Sequence, residues 1–284
     1  MEIGVTDGFK TVNVSSLCTA AGMSRPNWYK GRKMRERRQV DERLVIELVK
    51  RERKQHPRSG GRKLQTILRP DLADASISLG RDRIFAILRR HGLLVPPLPR
   101  SSKTTNSQHS MEVFHNRLKE MVVTAPNQAW VSDITYIRTE SSFVYLALIM
   151  DRYSRKIVGY HCGESLEALE AIRALENALA DLPDNCRPVH HSDRGCQYCC
   201  HEYVRRLLDR GLTISMTETE HAAENAHAER LNGILKQEYG LGMTFLNLEH
   251  ARLAVDQAVW KYNHRRPHLS LSMRVPAEVH RQAA

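Results

Sequence analysis

From residue 130 onward, the sequence alternates short β-rich runs with helical stretches, and this order restricts the possible folds more than any other feature. Three β-rich runs come first, joined by turn segments. A helical stretch, a fourth run, a second helical stretch, a fifth run and a long helical stretch follow. The predicted strands are 130–137, 143–150, 156–162, 189–192 and 213–216, and the predicted helices are 164–180, 201–210 and 226–239.

The order βββαβαβα is typical of a ribonuclease-H-like domain, in which helices cover both faces of a mixed sheet. We therefore predict an α/β fold for residues 125–284. It comprises a ribonuclease-H-like core, with a mixed five-stranded sheet and helices on both faces, and a C-terminal helix.

Three acidic residues occupy different positions in this pattern. Asp133 lies midway along the first predicted strand, Asp193 just past the fourth, and Glu229 on the last long helix. An acidic residue in an apolar strand is costly to bury unless it is paired or binds a cation. We therefore interpret the three as a catalytic site that binds two divalent metal ions and acts on phosphodiesters. Taken singly, each could be a cap or a surface charge, and Asp193 could be a turn residue.

The helix that carries Glu229 presents further polar residues on the same face. Asn225, Asn232, Gly233 and Lys236 stand at i−4, i+3, i+4 and i+7 from Glu229. Gly233 leaves room for a backbone to approach, and Lys236 is placed to contact a phosphate near the metal ions. We predict nucleic-acid contacts at Asn225, Asn232 and Lys236, with a merely solvated Lys236 as the alternative.

Positive charge is concentrated in the front part of the chain. Residues 1–110 contain 23 Lys and Arg against 10 Asp and Glu, whereas residues 111–284 contain 20 against 22. A basic segment joined to a near-neutral one suggests a module that binds a polyanion, and nucleic acid is the commonest polyanion. A solvated basic face without a partner is the alternative.

Residues 14–32 have the pattern of two short helices around a turn. Gly22 breaks the first helix, Ser24 caps the second, and Pro26 stands in its first turn. This is a helix-turn-helix pattern, although an αα-hairpin that only packs is also compatible with it. The residues of the second helix that could reach DNA are Arg25, Asn27, Lys30 and Arg32.

A longer helix is predicted over 40–55, followed by a second helical pair over 62–68 and 81–91. The arginines of this pair form either a DNA-binding surface or a solvated face, and the candidate contacts are Arg62, Arg81 and Arg83. Residues 95–110 are rich in Pro, Ser and Thr and lack apolar periodicity. We therefore predict a helical DNA-binding region over 1–94 and a linker over 95–124.

Cysteine usage and hydropathy bear on the cellular compartment. The six cysteines occur without a secretion signal, so we expect reduced thiols. Cys196, Cys199, Cys200 and His201 lack a second ligand pair at finger-like spacing, which argues against structural zinc. The longest apolar run, 143–150, is far shorter than the roughly 18 residues that span a membrane. We expect a soluble cytoplasmic protein that does not bind a membrane.

The motifs resemble those of one known family. They are WVSDITY at 130–136, HSDRGCQY at 191–198, SM at 215–216, NAHAER at 225–230, LKQE at 235–238 and YNHRRPH at 262–268. In these motifs, the chain resembles the catalytic reading-frame transposases of the insertion-sequence-three family, within the DDE and retroviral-integrase superfamily. The front half resembles the helix-turn-helix region of that family through less specific motifs, so that the resemblance extends over nearly the whole chain.

The resemblance implies a set of ligands and a reaction. Asp133, Asp193 and Glu229 would bind two Mg²⁺ ions, for which Mn²⁺ substitutes, and Lys236 would contact DNA near the cleaved bond. The reaction would be hydrolytic nicking at the 3′ ends of the element. Attack by the freed 3′ hydroxyl on another phosphodiester would follow, without a covalent enzyme intermediate.

The resemblance also implies partners. These are double-stranded DNA of the element ends and of the target, further copies of the chain assembled on that DNA, and the product of an upstream reading frame. The last is expected because the chain has no leucine-rich heptad run. In a bacterial cytoplasm the DNA-bound protein would be nucleoid-associated. The chain has Glu224-Asn225 where the family commonly has Asp-Asn, which leaves the role of Glu224 open.

Two other functions share part of the pattern. A non-catalytic DNA-binding regulator derived from a transposase would be recognised by a lost carboxylate, and none is lost. A nuclease of the ribonuclease H type would share the metal site but not the helix-turn-helix units. Near the C-terminus, Arg265 and Arg266 stand at a helix end before Pro267 and either clamp DNA or belong to a packed terminal helix.

Overall fold

The computed structural model describes residues 13–96, 111–218 and 225–282. The first range contains five helices: α1 (Val14–Ala20), α2 (Arg25–Gln55), α3 (Gly61–Ile67), α4 (Arg69–Asp74) and α5 (Arg81–Arg90). The other two ranges build a mixed sheet with flanking helices.

The turn between α1 and α2 forms where the sequence predicts it. Gly22 has a φ of +64°, and the Ser24 side chain accepts a hydrogen bond of 3.4 Å from the backbone N–H of Asn27. The predicted second helix, however, does not end near residue 32. It continues into the predicted helix 40–55 as one helix of 31 residues, because the connecting Arg, Lys, Met, Glu and Gln residues are strong helix formers.

One hydrophobic cluster holds the front helices together. Its buried members include Val45 and Val49 of α2, Leu64 of α3 and Ile84 of α5. The predicted second helical pair corresponds to α3 and α5, whereas α4 was not predicted because its six residues are too few to show a helical period.

The sheet has the order β3-β2-β1-β4-β5. Its strands are β1 (Ala129–Thr139), β2 (Phe143–Asp151), β3 (Ile157–Gly163), β4 (Val189–Ser192) and β5 (Thr213–Met216). β2 is antiparallel to β1 and β3, whereas β4 is parallel to β1 and β5. The predicted mixed sheet is confirmed. The predicted number of strands is wrong by one, because the two-residue strand β6 (Thr244–Phe245) pairs with the end of β1.

Helices cover both faces of this sheet, as predicted. Trp130 and Ile134 of β1 pack in a cluster with α6 (Ala168–Ala180), α7 (Cys196–Cys199) and α8 (His201–Asp209). Val131 and Ile137 point to the other face, where α9 (Ala226–Glu238) and α10 (Leu248–Arg265) lie. The last helix is α11 (Pro276–Gln282). None of the helices in the described ranges is long and apolar enough to cross a membrane.

Candidate active site

Two of the predicted acidic residues belong to neighbouring strands: Asp133 lies within β1, and Asp193 directly follows β4. β1 and β4 are parallel neighbours, and Val131 pairs with His191. Two residues further along each chain stand Asp133 and Asp193, and side chains alternate between the faces of a sheet. Asp133 therefore points to the same face as Val131, which is the face covered by α9.

Each oxygen of the Asp133 carboxylate accepts a hydrogen bond. Asn232 of α9 donates a hydrogen bond of 2.7 Å from Nδ2 to Oδ2, and the backbone N–H of Ile134 donates one of 2.9 Å to Oδ1. Asp193 lies in the turn after β4, where its Oδ1 accepts a hydrogen bond of 3.0 Å from the backbone N–H of Gly195.

Burial and neighbouring charges shift the pKa of Asp133. Burial, and then the negative charges of Asp193 and Glu229, raise the pKa of Asp133 to about 7, against the opposing effect of its two hydrogen bonds. The negative charges of Asp193 and Glu229 therefore act on Asp133 through space. Within the described ranges, no group of three His, Cys, Asp or Glu side chains lies close enough together to hold a single metal ion.

α9 runs alongside β1 and contacts it at successive positions. Asn225, which precedes α9, donates a hydrogen bond of 3.0 Å to the backbone carbonyl of Ser132. Further along, Asn232 bonds to Asp133, and the Lys236 ammonium lies 4.0 Å from the ring centroid of Tyr136. Glu229 stands between these contacts on the same helix, so the contacts on either side of it fix its position relative to Asp133.

A buried polar network behind the carboxylates was not predicted from the sequence. The Nε2 atom of His190 lies 2.7 Å from the Ser132 hydroxyl and 2.9 Å from the Tyr203 hydroxyl. Burial and the neighbouring His191 lower the pKa of His190 to about 3, so its ring is neutral. His191 in turn lies 2.8 Å from the Ser215 hydroxyl through Nδ1. The pair His190-His191, directly before Ser192-Asp193, was the signal available in the sequence.

Comparison with protein families and relatives agrees with this geometry. Two family models, both described as integrase core domain, match residues 123–222 and 210–276. A relative from Shigella sonnei, the insertion element IS600 uncharacterized 31 kDa protein, is 34% identical over 265 residues, which cover 92% of this chain and 96% of the relative. The transposase for insertion sequence element IS629, also from Shigella sonnei, is 31% identical over 93% of this chain and 90% of its own length. The chain belongs to the insertion-sequence transposases of the retroviral-integrase superfamily.

The transposase is thus a polynucleotidyl transferase of DNA transposition, and the resemblance noted in the sequence is confirmed. Transposase InsF for insertion sequence IS3A of Escherichia coli K12 is 28% identical over 86% of this chain and 85% of its own length. Among solved structures, the catalytic core domain of HTLV-2 integrase in complex with magnesium matches 55% of this chain and 97% of that chain, with a TM-score of 0.45 and 20% sequence identity.

Most of the predicted DNA-contact residues of the transposase are exposed. They are Arg25, Asn27, Lys30 and Arg32 of α2, Arg62 of α3, Arg81 and Arg83 of α5, and Arg265 at the end of α10. Each is therefore accessible to DNA, and its contact with DNA remains a prediction. Glu224, whose role was left open, lies outside the described residues.

Three of the predicted DNA contacts in the transposase are buried instead. Asn225 and Asn232 direct their amides to β1, so their role in the structure is to join α9 to the strand of Asp133. Arg266 donates hydrogen bonds of 2.8 and 2.9 Å to Glu238 and is only 4% exposed. Its predicted DNA contact does not fit this position, because the guanidinium is enclosed in an internal ion pair.

The cysteine cluster packs within the transposase. Cys200 precedes α8, and its Sγ accepts a hydrogen bond from the backbone N–H of Tyr203. Cys199 is buried, and its thiol lies 3.6 Å from the sulfur of Met216. These contacts give the two side chains structural roles at the start of α8 and against β5.

Proposed function

We propose that Asp133, Asp193 and Glu229 bind two divalent metal ions and catalyse 3′-end cleavage and strand transfer of an insertion sequence. The observation that carries this proposal is the hydrogen bond of 2.7 Å by which Asn232, on the helix of Glu229, holds Asp133 of β1, next to the strand β4 that Asp193 follows. Burial and the charges of Asp193 and Glu229 also raise the pKa of Asp133 to about 7. Three acidic groups directed at one site repel each other, and binding of cations relieves both the repulsion and the cost of burial.

The residues present fit Mg²⁺, with Mn²⁺ as a substitute. All three side chains offer oxygen ligands, which hard divalent cations prefer. The Oδ1 atom of Asn232 is buried beside Asp133 and has no hydrogen-bond partner among the residues that the structure describes, so the site has a further oxygen to satisfy. When bound, the two ions activate the attacking oxygen and stabilise the leaving oxygen of the phosphodiester.

The remaining residues of the site position the reacting groups. Asn232 fixes one oxygen of Asp133 and leaves the other directed by the backbone of Ile134. Lys236 is held above the ring of Tyr136, on the helix face that carries Glu229, where its ammonium can attract a DNA phosphate toward the carboxylates. Burial lowers the pKa of Lys236 from its usual value, although Tyr136 and Asp133 oppose this effect.

The partners follow from the same proposal. Double-stranded DNA of the element ends and the target would bind the exposed basic residues of the front helices, because phosphate contacts supply most of the non-specific affinity. Two element ends would require further copies of the chain on the DNA. The product of an upstream reading frame would complete the active complex in a bacterial cytoplasm.

The test is strand transfer in Mg²⁺ with a pre-cleaved end of the host element. We expect the wild-type chain to join this end to a target duplex and Asp133→Asn, Asp193→Asn and Glu229→Gln to lose joining while they still bind the end in a gel-shift assay. Asp184→Asn is the matched control, because the side chain of Asp184 is 95% exposed.

Each outcome has a defined meaning. Residual strand transfer in any of the three variants would exclude that carboxylate from the catalytic site. End binding without joining in the wild-type chain as well would favour the non-catalytic regulator, unless the upstream product restores joining. Thermal unfolding with and without Mn²⁺ gives a second readout, since stabilisation by the metal should vanish in Asp133→Asn.

A further inference from the structure

A cluster of basic side chains lies on a different face of α9 from Glu229. We define this basic cluster as Arg152 and Arg155 of the β2–β3 turn, His227 and Arg230 of α9, and His268 after α10. On a helix, residues three apart share a face, so His227 and Arg230 are neighbours, whereas Glu229 is rotated well away from both. The cluster is therefore separate from the carboxylate site.

One contact joins the β2–β3 turn to α9 within the cluster. The Nη1 atom of Arg155 lies 2.9 Å from Nδ1 of His227. Arginine is always a donor, so His227 accepts this bond and is neutral, and its other ring nitrogen is free to donate. Arg155 reaches α9 from a tight turn in which its φ is +65°.

The cluster extends toward the end of α10. Burial, Arg266, Arg155 and Lys63 lower the pKa of His268 to about 3, against the effect of Glu238. Positive charge from Lys63, Arg155 and Arg266 thus acts on a single partly buried imidazole. The field is strong there because low-dielectric surroundings screen charges weakly.

The two acidic residues beside the cluster, Asp151 and Glu238, accept hydrogen bonds from other groups. Asp151 is fully buried and accepts hydrogen bonds from the backbone N–H groups of Asn127 and Ser154 and from the Ser154 hydroxyl, each 2.7 Å long. Glu238 accepts bonds of 2.7 to 2.9 Å from Lys63 and Arg266 on both of its oxygens.

Three arginines of the cluster form no ion pair with a carboxylate that the structure describes. Within residues 13–96, 111–218 and 225–282, no ion pair joins Arg152, Arg155 or Arg230 to a carboxylate. Clustered arginines that are not neutralised within the protein are suited to a phosphate, because the guanidinium binds phosphate oxygens through two parallel hydrogen bonds. Arg230 and His227 are exposed, so the cluster is open to a ligand.

We propose that the basic cluster binds the phosphodiester backbone of DNA at a position outside the carboxylate site. The cluster combines exposed donors on α9 with partly buried arginines behind them. This arrangement suits an extended polyanion that lies across α9. The contact reads the backbone only, so it is independent of base sequence. It does not depend on which residues catalyse the reaction.

The experiment measures binding of a fluorescent duplex without terminal-repeat sequence, in EDTA, over a range of NaCl concentrations. We expect Arg155→Gln with Arg230→Gln to weaken binding about 10-fold or more at low salt, and to reduce the slope of log Kd against log salt by about one for each phosphate that the variant no longer binds. The matched control is Arg206→Gln with Arg210→Gln, because both of these arginines are paired with carboxylates. The control should bind within about twofold of the wild-type chain by the same electrostatic reasoning.

Two results would overturn the proposal. An unchanged affinity and salt slope in the double variant would show that the cluster does not contact DNA. Thermal stabilisation by inorganic phosphate that is lost in the double variant, with DNA binding intact, would show a site for free anions only. Arg230→Gln alone changes an exposed helix position and guards against a folding defect at the turn of Arg155. Because EDTA removes metal ions, failure here is distinct from failure of the proposed catalytic site.

Discussion

Asn232 donates a hydrogen bond of 2.7 Å to the carboxylate of Asp133 and so ties α9 to the central strand of the sheet. The same helix carries Glu229, and Asp193 follows the neighbouring strand β4. One amide therefore holds the relative position of two of the three candidate metal ligands. Residues that orient a metal ligand in this way typically change activity by about 10- to 100-fold when they are lost.

The first prediction concerns this amide. Asn232→Ala should lower the rate of strand transfer by about 10- to 100-fold, with little loss of end binding, because Asp133 loses the donor that orients it. Gln237→Ala, an exposed position on the same helix, is the control and should leave the rate unchanged. The measurement is the rate of joining at saturating DNA and a series of Mg²⁺ concentrations. A rate for Asn232→Ala equal to that of the control would contradict this role.

The second prediction concerns the pH dependence of the metal-free protein. The folded-state pKa of Asp133 is about 7, above its usual value of 3.8, so the folded protein binds this proton more tightly than the unfolded chain. The corresponding stabilisation is full below about pH 4 and is lost as the pH rises through about 7. We expect the free energy of unfolding of wild type, relative to Asp133→Asn, to fall between about pH 4 and pH 7 in EDTA, and to recover with Mg²⁺.

A second variant separates the causes of this shift. Asp193→Asn removes one of the two negative charges that raise the pKa of Asp133, so the pH at which stability is lost should move downward. If the midpoint stays in place, Asp193 does not raise the pKa of Asp133, and the two carboxylates do not share a site. Direct titration of the Asp133 carboxyl carbon by NMR gives the same comparison without unfolding.

The third prediction concerns the contact between the front helices and the core. Lys63 of α3 and Arg266 both bond to Glu238 at the end of α9, and these three side chains are 11%, 5% and 17% exposed. Burial alone would raise the pKa of Glu238, but the hydrogen bonds and charges of Arg266 and Lys63 outweigh it and lower the pKa to about 2. Glu238→Ala leaves two buried cations unpaired, which should cost about 3 to 5 kcal/mol of stability.

Urea unfolding measures this cost. Glu176→Ala, which breaks a more exposed ion pair with Arg206, is the control and should cost less than about 1 kcal/mol. The stabilisation from Glu238 should be present above about pH 4.5 and lost as the pH falls toward about 2, because a lowered acid pKa favours the ionised folded form. Equal losses in the two variants would show that the buried pair does not hold the front helices to the core.

Much of the fold could be predicted because the sheet and its helices have strong periodic signals. Strands β4 and β5 occupy the predicted residues, and Asp133, Asp193 and Glu229 lie on the predicted elements. Periodicity could not show that α2 is continuous, because a polar stretch of strong helix formers carries no apolar period to extend. It also could not show β6, whose two residues gain their pairing only from the end of β1.

Asp133, Asp193 and Glu229 as a catalytic site stay a prediction, whereas the residues that hold Asp133 in place were not predicted in that role. The sequence placed Asn225 and Asn232 on the helix face that carries Glu229. Helix geometry alone does not say whether that face meets solvent or the sheet. Both amides meet the sheet and are buried. The same limit applies to Arg266, for which the partner Glu238 lies 28 positions away in the chain and is found only in the fold.

The fourth prediction compares two glycines. At Gly233 of α9, an added Cβ would meet nothing within 4 Å, whereas at Gly159 of β3 it would lie 2.3 Å from the Ala174 carbonyl oxygen and 2.6 Å from the Ala178 Cβ of α6. Gly159→Ala must push α6 away from the sheet and should cost about 1 to 3 kcal/mol. Gly233→Ala should stabilise the protein by about 0.5 to 1 kcal/mol, since glycine in a helix loses more backbone freedom on folding.

The functional effect of Gly233→Ala should have the opposite sign to its effect on stability. Gly233 lies one turn beyond Glu229, where the missing side chain leaves room for a DNA backbone to approach the carboxylates. Added bulk should therefore slow strand transfer while the melting temperature rises by about 2 °C. Differential scanning calorimetry and the joining assay on one preparation give both values. A stabilised variant with an unchanged joining rate would mean that DNA reaches the carboxylates without passing close to Gly233.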